Sequence, residues 1–241
     1  FCRHCTRKRK VADPSSSAAD KQLEDGLAYI ESHKEIRDVV ISGGDPLCSP
    51  DNRIEYILSR LRAIKHVEIF RIGTRTPVTM PQRITDSLVS IIRKYHPVFI
   101  NTHFNHIKEC TREAFDACAR LADAGCSVNN QMVLLKGVND DPKVVKQLNH
   151  TLLKMRVRPY YIFQCDLAQG ISHFRTPIES GVNILENLRG WTSGLAIPYF
   201  VVDAPGGGGK IPLLPNYVVK QEGKKWTLRN FKKKEFIYYE S

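Results

Sequence analysis

Asp38-Val39-Val40-Ile41 runs directly into Ser42-Gly43-Gly44-Asp45-Pro46, and this junction carries the reading of the fold. An unbroken aliphatic run reads as a strand buried on both faces, and glycines placed immediately after it read as a turn. The same unit recurs down the chain. Residues 67–72, 97–100, 128–135, 159–164 and 198–202 are further short apolar runs. Between them, residues 54–61, 88–95, 114–124, 143–155 and 178–188 have helical spacing, the third beginning at Thr111 and ending at Gly125. Such alternation predicts an α/β fold with a parallel sheet and right-handed crossovers. About six units fit a partial barrel as well as a doubly wound sheet, and periodicity does not choose between them. Ser15-Ser16-Ser17 reads as a linker patch before a helix starting near Ala18. Residues 223–241, basic and aromatic, predict a small terminal hairpin.

The composition fits a soluble globular protein, and no run of eighteen apolar residues suggests a membrane span. The chain opens at Phe1 without Met or a secretory pattern, so an N-terminal truncation is expected. Lys and Arg total 36 against 25 Asp and Glu, a net charge of +11. This raises nucleic acid or an anionic substrate as partners. Arg3, Arg7, Lys8, Arg9 and Lys10 form one basic group; Lys220, Lys224, Lys225, Lys232, Lys233 and Lys234 form another. The second reads as a solvated surface, because it lacks the aromatic spacing of an RNA-binding sheet. Seven cysteines, an odd number in a chain of this length, argue against a disulfide framework and for a reducing, cytoplasmic location.

Polar residues cluster where strands end, which is where parallel α/β folds carry function. Cys2-Arg3-His4-Cys5 is a CxxC; alone it suits zinc, redox or iron–sulfur chemistry, or two unliganded thiols. Ser42-Gly43-Gly44-Asp45 opens its backbone to an anion or a polar cofactor, or is an ordinary turn. Gly206-Gly207-Gly208-Gly209-Lys210 is not a phosphate-binding P-loop, because Ile211 and Pro212 follow the lysine. It reads as a mobile loop carrying one amine able to form a Schiff base with an aldehyde cofactor. Asp166 and Asp203 end apolar strands, suited to a substrate ammonium, a metal, acid–base work or simple capping.

Together these stretches resemble the lysine 2,3-aminomutase family of radical S-adenosylmethionine (SAM) enzymes over almost the whole chain. Phe1-Cys2-Arg3-His4-Cys5-Thr6-Arg7 resembles the second half of the family's CxxxCxxC loop, and Ser42-Gly43-Gly44-Asp45 its SAM-binding turn. Residues 71–77, 101–106 and 137–140 follow in family order, and residues 203–210 are the most distinctive block. The resemblance implies a partial (β/α)6-type radical SAM barrel lacking its first strand, with a small C-terminal β extension. It places a truncated radical SAM core over 1–197 and a pyridoxal-phosphate-binding segment with the extension over 198–241.

The implied activity moves the α-amino group of L-lysine to C3, giving β-lysine. Cys2 and Cys5 would ligate a [4Fe–4S] cluster. Gly43, Gly44 and Asp45 would position SAM, with Gln131 and His103 as further contacts. Lys210 would hold pyridoxal 5′-phosphate as an aldimine, which a 5′-deoxyadenosyl radical acts on once lysine has replaced Lys210. Arg7 would bind the substrate carboxylate, and Asp166 and Asp203 its side-chain ammonium. An electron donor such as a flavodoxin or ferredoxin is implied, a homo-oligomer is admitted, and membrane or nucleic-acid partners are not.

Departures from the family pattern sharpen these expectations. The first cluster cysteine would precede Phe1, and Asp141 stands where some relatives carry a zinc-ligating cysteine, so no zinc is expected. Phe163 stands where the family has a tyrosine near the pyridoxal ring. Relatives acting on glutamate or on a protein-bound lysine remain alternatives, although two acids favour lysine over glutamate. A basic nucleic-acid-binding domain with a zinc CxxC is a weaker one.

Overall fold

A computed structural model describes residues 2–7, 11 and 20–241. The serine patch at 15–17 and the expected helix start near Ala18 lie outside the described residues. From Asp20 onward, helices and strands alternate: α1 (Asp20–Ser32), β1 (Asp38–Ile41), α2 (Asp51–Ala63), β2 (Ile69–Gly73), α3 (Asp86–Lys94), β3 (Val98–Thr102), α4 (Arg112–Asp123) and β4 (Ser127–Val133). The pattern continues with α5 (Pro142–Lys154), β5 (Arg158–Phe163), α6 (Ile178–Leu188), β6 (Tyr199–Ala204) and β7 (Gly209–Pro212).

Local chemistry sets the helix starts. The Thr85 and Thr111 hydroxyls accept from the Leu88 and Ala114 amides, and Asp141 accepts from Lys143 beside Pro142, which has no N–H to leave unpaired. Each helix then turns one apolar stripe inward; α4 buries Ala114, Ala117, Cys118 and Leu121.

Strands β1 to β7 lie side by side in sequence order, parallel through β6, with β7 antiparallel at the edge. A doubly wound sheet would reverse its order from the middle. The sequential order therefore settles the architecture as a curled, open half-barrel. Phe70, Ile72, Ile100, Val128, Met132, Ile162 and Phe200 are buried in the core that joins the sheet to its helices. The alternating residues, among them Arg71, Asn101, Gln131, Tyr161 and Phe163, occupy the opposite, concave face. All six parallel strands end on one rim.

Close packing fixes the helix layer against β6. A Cβ on Gly181 of α6 would sit 2.2 Å from Cζ of Phe200, which is fully buried. Gly181→Val is expected to cost about 1–3 kcal/mol through overpacking. A urea-unfolding midpoint equal to that of the parent would contradict this contact.

The expected terminal hairpin is a three-stranded antiparallel sheet: β8 (Val218–Glu222), β9 (Lys225–Arg229) and β10 (Glu235–Tyr239), with β9 central. Phe231 packs edge-on to Trp191 at 5.1 Å, and Arg229 pairs with Glu186 of α6 at 2.5 Å, anchoring this sheet to the half-barrel. No helix among the described residues is long and apolar enough to cross a membrane.

Candidate functional site at the strand C-terminal rim

The rim carries two neighbouring sets of groups. Over the ends of β2 and β3 lies the CxxC turn, closed by a Cys5 N–H donating to the Cys2 carbonyl at 3.0 Å. Arg75, just past β2, donates Nη1 to the Cys2 Sγ at 3.0 Å and Nε to the His103 carbonyl at 3.2 Å, and ion-pairs with Glu109. The Arg3 guanidinium lies 5.5 Å over Phe174, beyond β5. Burial lowers the His4 pKa to about 4, helped by the nearby Arg75 and His103, so this imidazole is neutral at physiological pH. Burial also lowers His103, against a hydrogen bond to the Gln131 backbone. His103, Gln131 and the CxxC turn thus share one neighbourhood.

The Asp45 carboxylate is held by three donors of its own chain. Oδ1 accepts from the Leu47 amide (3.1 Å) and the Thr74 hydroxyl (2.6 Å), and Oδ2 accepts from the Arg75 amide (2.6 Å). The carboxylate therefore ties the β1 turn to the end of β2 and leaves Gly43 and Gly44, both exposed, to present backbone. Asp45→Asn turns an NH2 toward one of these donors and is expected to cost about 1–3 kcal/mol of stability. A thermal-unfolding midpoint matching the parent would contradict the role.

Sequence reasoning gave no role to the residues that hold the next loops. Glu109 Oε2 accepts from the Asn105 amide (2.5 Å), and Asn105 Oδ1 accepts from Val133 N (2.9 Å). Asn139 Nδ2 donates to the carbonyls of Asn105 (2.8 Å) and Val133 (2.9 Å), and its Oδ1 accepts from Leu135 N (2.7 Å). Asn130 caps Phe104 N at 2.7 Å. Three buried asparagines thus replace the backbone partners that loops leaving β3 and β4 lose. The available signal was the density of Asn in 101–106 and 129–139.

The second set lies on β5 to β7. Lys210 is not in a loop: residues 206–208 lie in the turn between β6 and β7, which pair as an antiparallel ribbon with Asp203 directly opposite Lys210. Gly206, Gly207 and Gly209 take φ of 71°, 82° and 72°, the left-handed conformation that this reversal needs and that side chains resist. Lys210 Nζ lies 3.0 Å from Asp203 Oδ1 and 4.8 Å from the centre of the Phe163 ring. Burial pushes the Asp166 carboxyl up, Asp203 adds to this, and Lys210 opposes it, so the three charges share one region. A cavity of about 260 Å³ adjoins them, lined by Tyr161, Tyr199, Val201, Lys210 and Pro212.

Of the remaining expected residues, Arg7 is exposed on the N-terminal turn, and no ion pair joins it to Asp166 or Asp203 among the described residues. Burial pushes the thiols of Cys118 and Cys126 up to about 12 and that of Cys110 to about 11, so they stay protonated at neutral pH and are poor metal ligands. Among the described residues no group of three or more His, Cys, Asp or Glu converges as a metal site; the CxxC offers two thiols.

Residues 1–148, more than half of the chain, match the family model described as the radical SAM superfamily. The chain belongs to the radical SAM superfamily. Within the superfamily its sequence is similar to the 2,3-aminomutases, and residues 185–240 match the model described as lysine-2,3-aminomutase. The L-lysine 2,3-aminomutase of Acetoanaerobium sticklandii is 56% identical over 96% of this chain and 56% of its own length. That of Clostridium subterminale is 55% identical over 96% of this chain and 56% of its own length. The glutamate 2,3-aminomutase of Clostridioides difficile is 51% identical over 92% of this chain and 52% of its own length. The chain therefore spans about half the length of the curated relatives it matches. A solved structure titled "Native anSMEcpe with bound AdoMet" superposes with a TM-score of 0.56 at 12% identity, over 78% of this chain and 55% of that one. At that identity the likeness is one of fold, and it agrees with the half-barrel.

Proposed function

We propose that this chain is the catalytic core of an aminomutase that moves the α-amino group of free L-lysine to C3, giving β-lysine. The observation that carries the reading is the convergence of Lys210, Asp203 and Asp166 beside the aromatic wall of Phe163. An amine able to hold an aldehyde cofactor and two carboxylates able to hold an ammonium lie within one site.

The groups that a radical SAM aminomutase uses fit these residues. Cys2 and Cys5 are partly exposed thiols, and they would supply two ligands of a [4Fe–4S] cluster. The exposed backbone of Gly43 and Gly44, held by Asp45, with His103 and Gln131 nearby, would take SAM. Lys210, facing a cavity with aromatic walls, would take pyridoxal phosphate. When bound, the cluster and SAM supply a 5′-deoxyadenosyl radical, and pyridoxal phosphate supplies a π-system for the migrating nitrogen.

The chain's own residues do the positioning. Arg7 offers a fork for the substrate carboxylate. Asp166 and Asp203 hold its side-chain ammonium. Anchoring a flexible substrate at both ends restricts which carbon reaches the radical and suppresses side reactions. Tyr161 and Tyr199 wall the cavity. The radical SAM core is assigned to 1–197 and the pyridoxal-phosphate segment with its β extension to 198–241. Electrons would come from a small donor protein of the flavodoxin or ferredoxin class.

The test is anaerobic incubation of the full-length protein with SAM, reductant, pyridoxal phosphate and single amino acids. β-Lysine formed from lysine alone supports the reading. β-Glutamate as the only product would overturn the assignment of Asp166 and Asp203, and activity confined to lysine within a protein would overturn the assignment of free lysine.

A further inference from the structure

The carboxylate assigned to the incoming ammonium already carries one. Asp203 and Lys210 are register partners on the β6–β7 ribbon, so their side chains leave the same face side by side, with Nζ 3.0 Å from Oδ1. Phe163 holds the same ammonium from its ring face at 4.8 Å. Asp166 responds to both neighbours, upward to Asp203 and downward to Lys210. Two carboxylates and one ammonium leave the cluster with one negative charge in excess. A second ammonium is attracted, yet it must share Asp203 with Lys210.

Resting on the reading of Lys210 and the acid pair given above, we propose that Asp203 alternates between two ammonium groups. It holds Lys210 while no carbonyl cofactor is bound. It admits the side-chain ammonium of the amino acid while the Lys210 nitrogen is bound to that cofactor, before the amino acid's own α-amino group replaces it there. The exchange balances: the Lys210 amine sheds its protons and forms a C=N bond to the aldehyde carbon, and the aldehyde oxygen leaves as water. The cation on Asp203 is thereby withdrawn, and the acid pair is left for the substrate. Amino-acid binding and cofactor loading are thus coupled through one carboxylate. Because coupling is reciprocal, the amino acid tightens cofactor binding by the same factor.

The pair is partly exposed, with 43% of the Lys210 and 45% of the Asp203 side chain accessible, so the coupling is moderate. The expected difference in affinity is about threefold to tenfold. The probe is 6-aminohexanoate, a lysine without its α-amino group, titrated calorimetrically into full-length protein. It should bind about threefold to tenfold more tightly to cofactor-loaded than to unloaded protein. Lys210→Met without cofactor should bind like the loaded parent, and Lys210→Arg, which keeps the cation, like the unloaded one. Adding Asp203→Asn to Lys210→Met should remove the gain. Equal affinity in unloaded parent and Lys210→Met would overturn the proposal. Failure of the parent to acquire cofactor absorbance would instead overturn the reading of Lys210, and the comparison of unloaded parent with Lys210→Met would still decide whether Asp203 is shared.

Discussion

In the full-length protein carrying Lys210→Met, the visible absorbance of bound pyridoxal phosphate should be missing, and β-lysine formation should fall by on the order of a thousandfold or more. The reasoning starts from the ribbon. Lys210 is a strand residue whose backbone pairs with Asp203, not a passenger on a loose loop, so its amine has a fixed origin. Phe163 and Asp203 fix the other end of the side chain. Methionine keeps the length and the strand pairing and removes the amine, both nucleophile and partner of Asp203, so the loss is chemical, not structural. Unfolding midpoints should stay close to the parent, because an exposed ion pair of this kind contributes only about 0–1 kcal/mol. Normal cofactor absorbance together with normal turnover would sink the assignment.

The alternation of aliphatic runs with helical spacing was readable because a strand packed under helices needs apolar residues, as Val98 and Ile100 of β3 show. The doubly buried β1 expected at Asp38–Ile41 is instead only partly covered, with Val40 exposed, because its second face looks into the open half-barrel. The choice between an open barrel and a doubly wound sheet was not readable. It depends on which strands are neighbours, a long-range property that no local period encodes. β7 was missed for a related reason. Gly209-Lys210-Ile211-Pro212 has no apolar run, all four residues are exposed, and only pairing with β6 makes it a strand. β8 was likewise lost between the rim and the expected hairpin. In the site, glycines, cysteines and strand-end acids were legible by type, because few other residues do their chemistry. Their partnerships were not. The Asp45 carboxylate binds Leu47, Thr74 and Arg75 instead of facing outward, and Arg75 reaches Cys2 across 73 positions of sequence.

Removing the charge of both strand-end acids should change what the enzyme accepts. In full-length Asp166→Asn/Asp203→Asn, kcat/KM for lysine is expected to fall by about a hundredfold or more, as the ammonium loses its counter-charges in a partly desolvated site. The loss should be shared between terms. A contact that only held the substrate would raise KM alone. A distal anchor that also sets which carbon faces the reacting group must lower kcat too, because a small misplacement is felt at the barrier. Glutamate gives the complementary readout. Its side-chain carboxylate would meet two like charges in the parent, and Asp166 already resists ionisation because of burial and Asp203. Neutral asparagines remove that repulsion, so turnover of glutamate relative to lysine should rise even if absolute rates stay low. Separate single variants assign the shares: Asp166→Asn alters only the substrate's partner, while Asp203→Asn also frees Lys210. If lysine kcat/KM is unchanged in the double variant, the acids are structural, and the substrate's ammonium must be sought elsewhere on the rim.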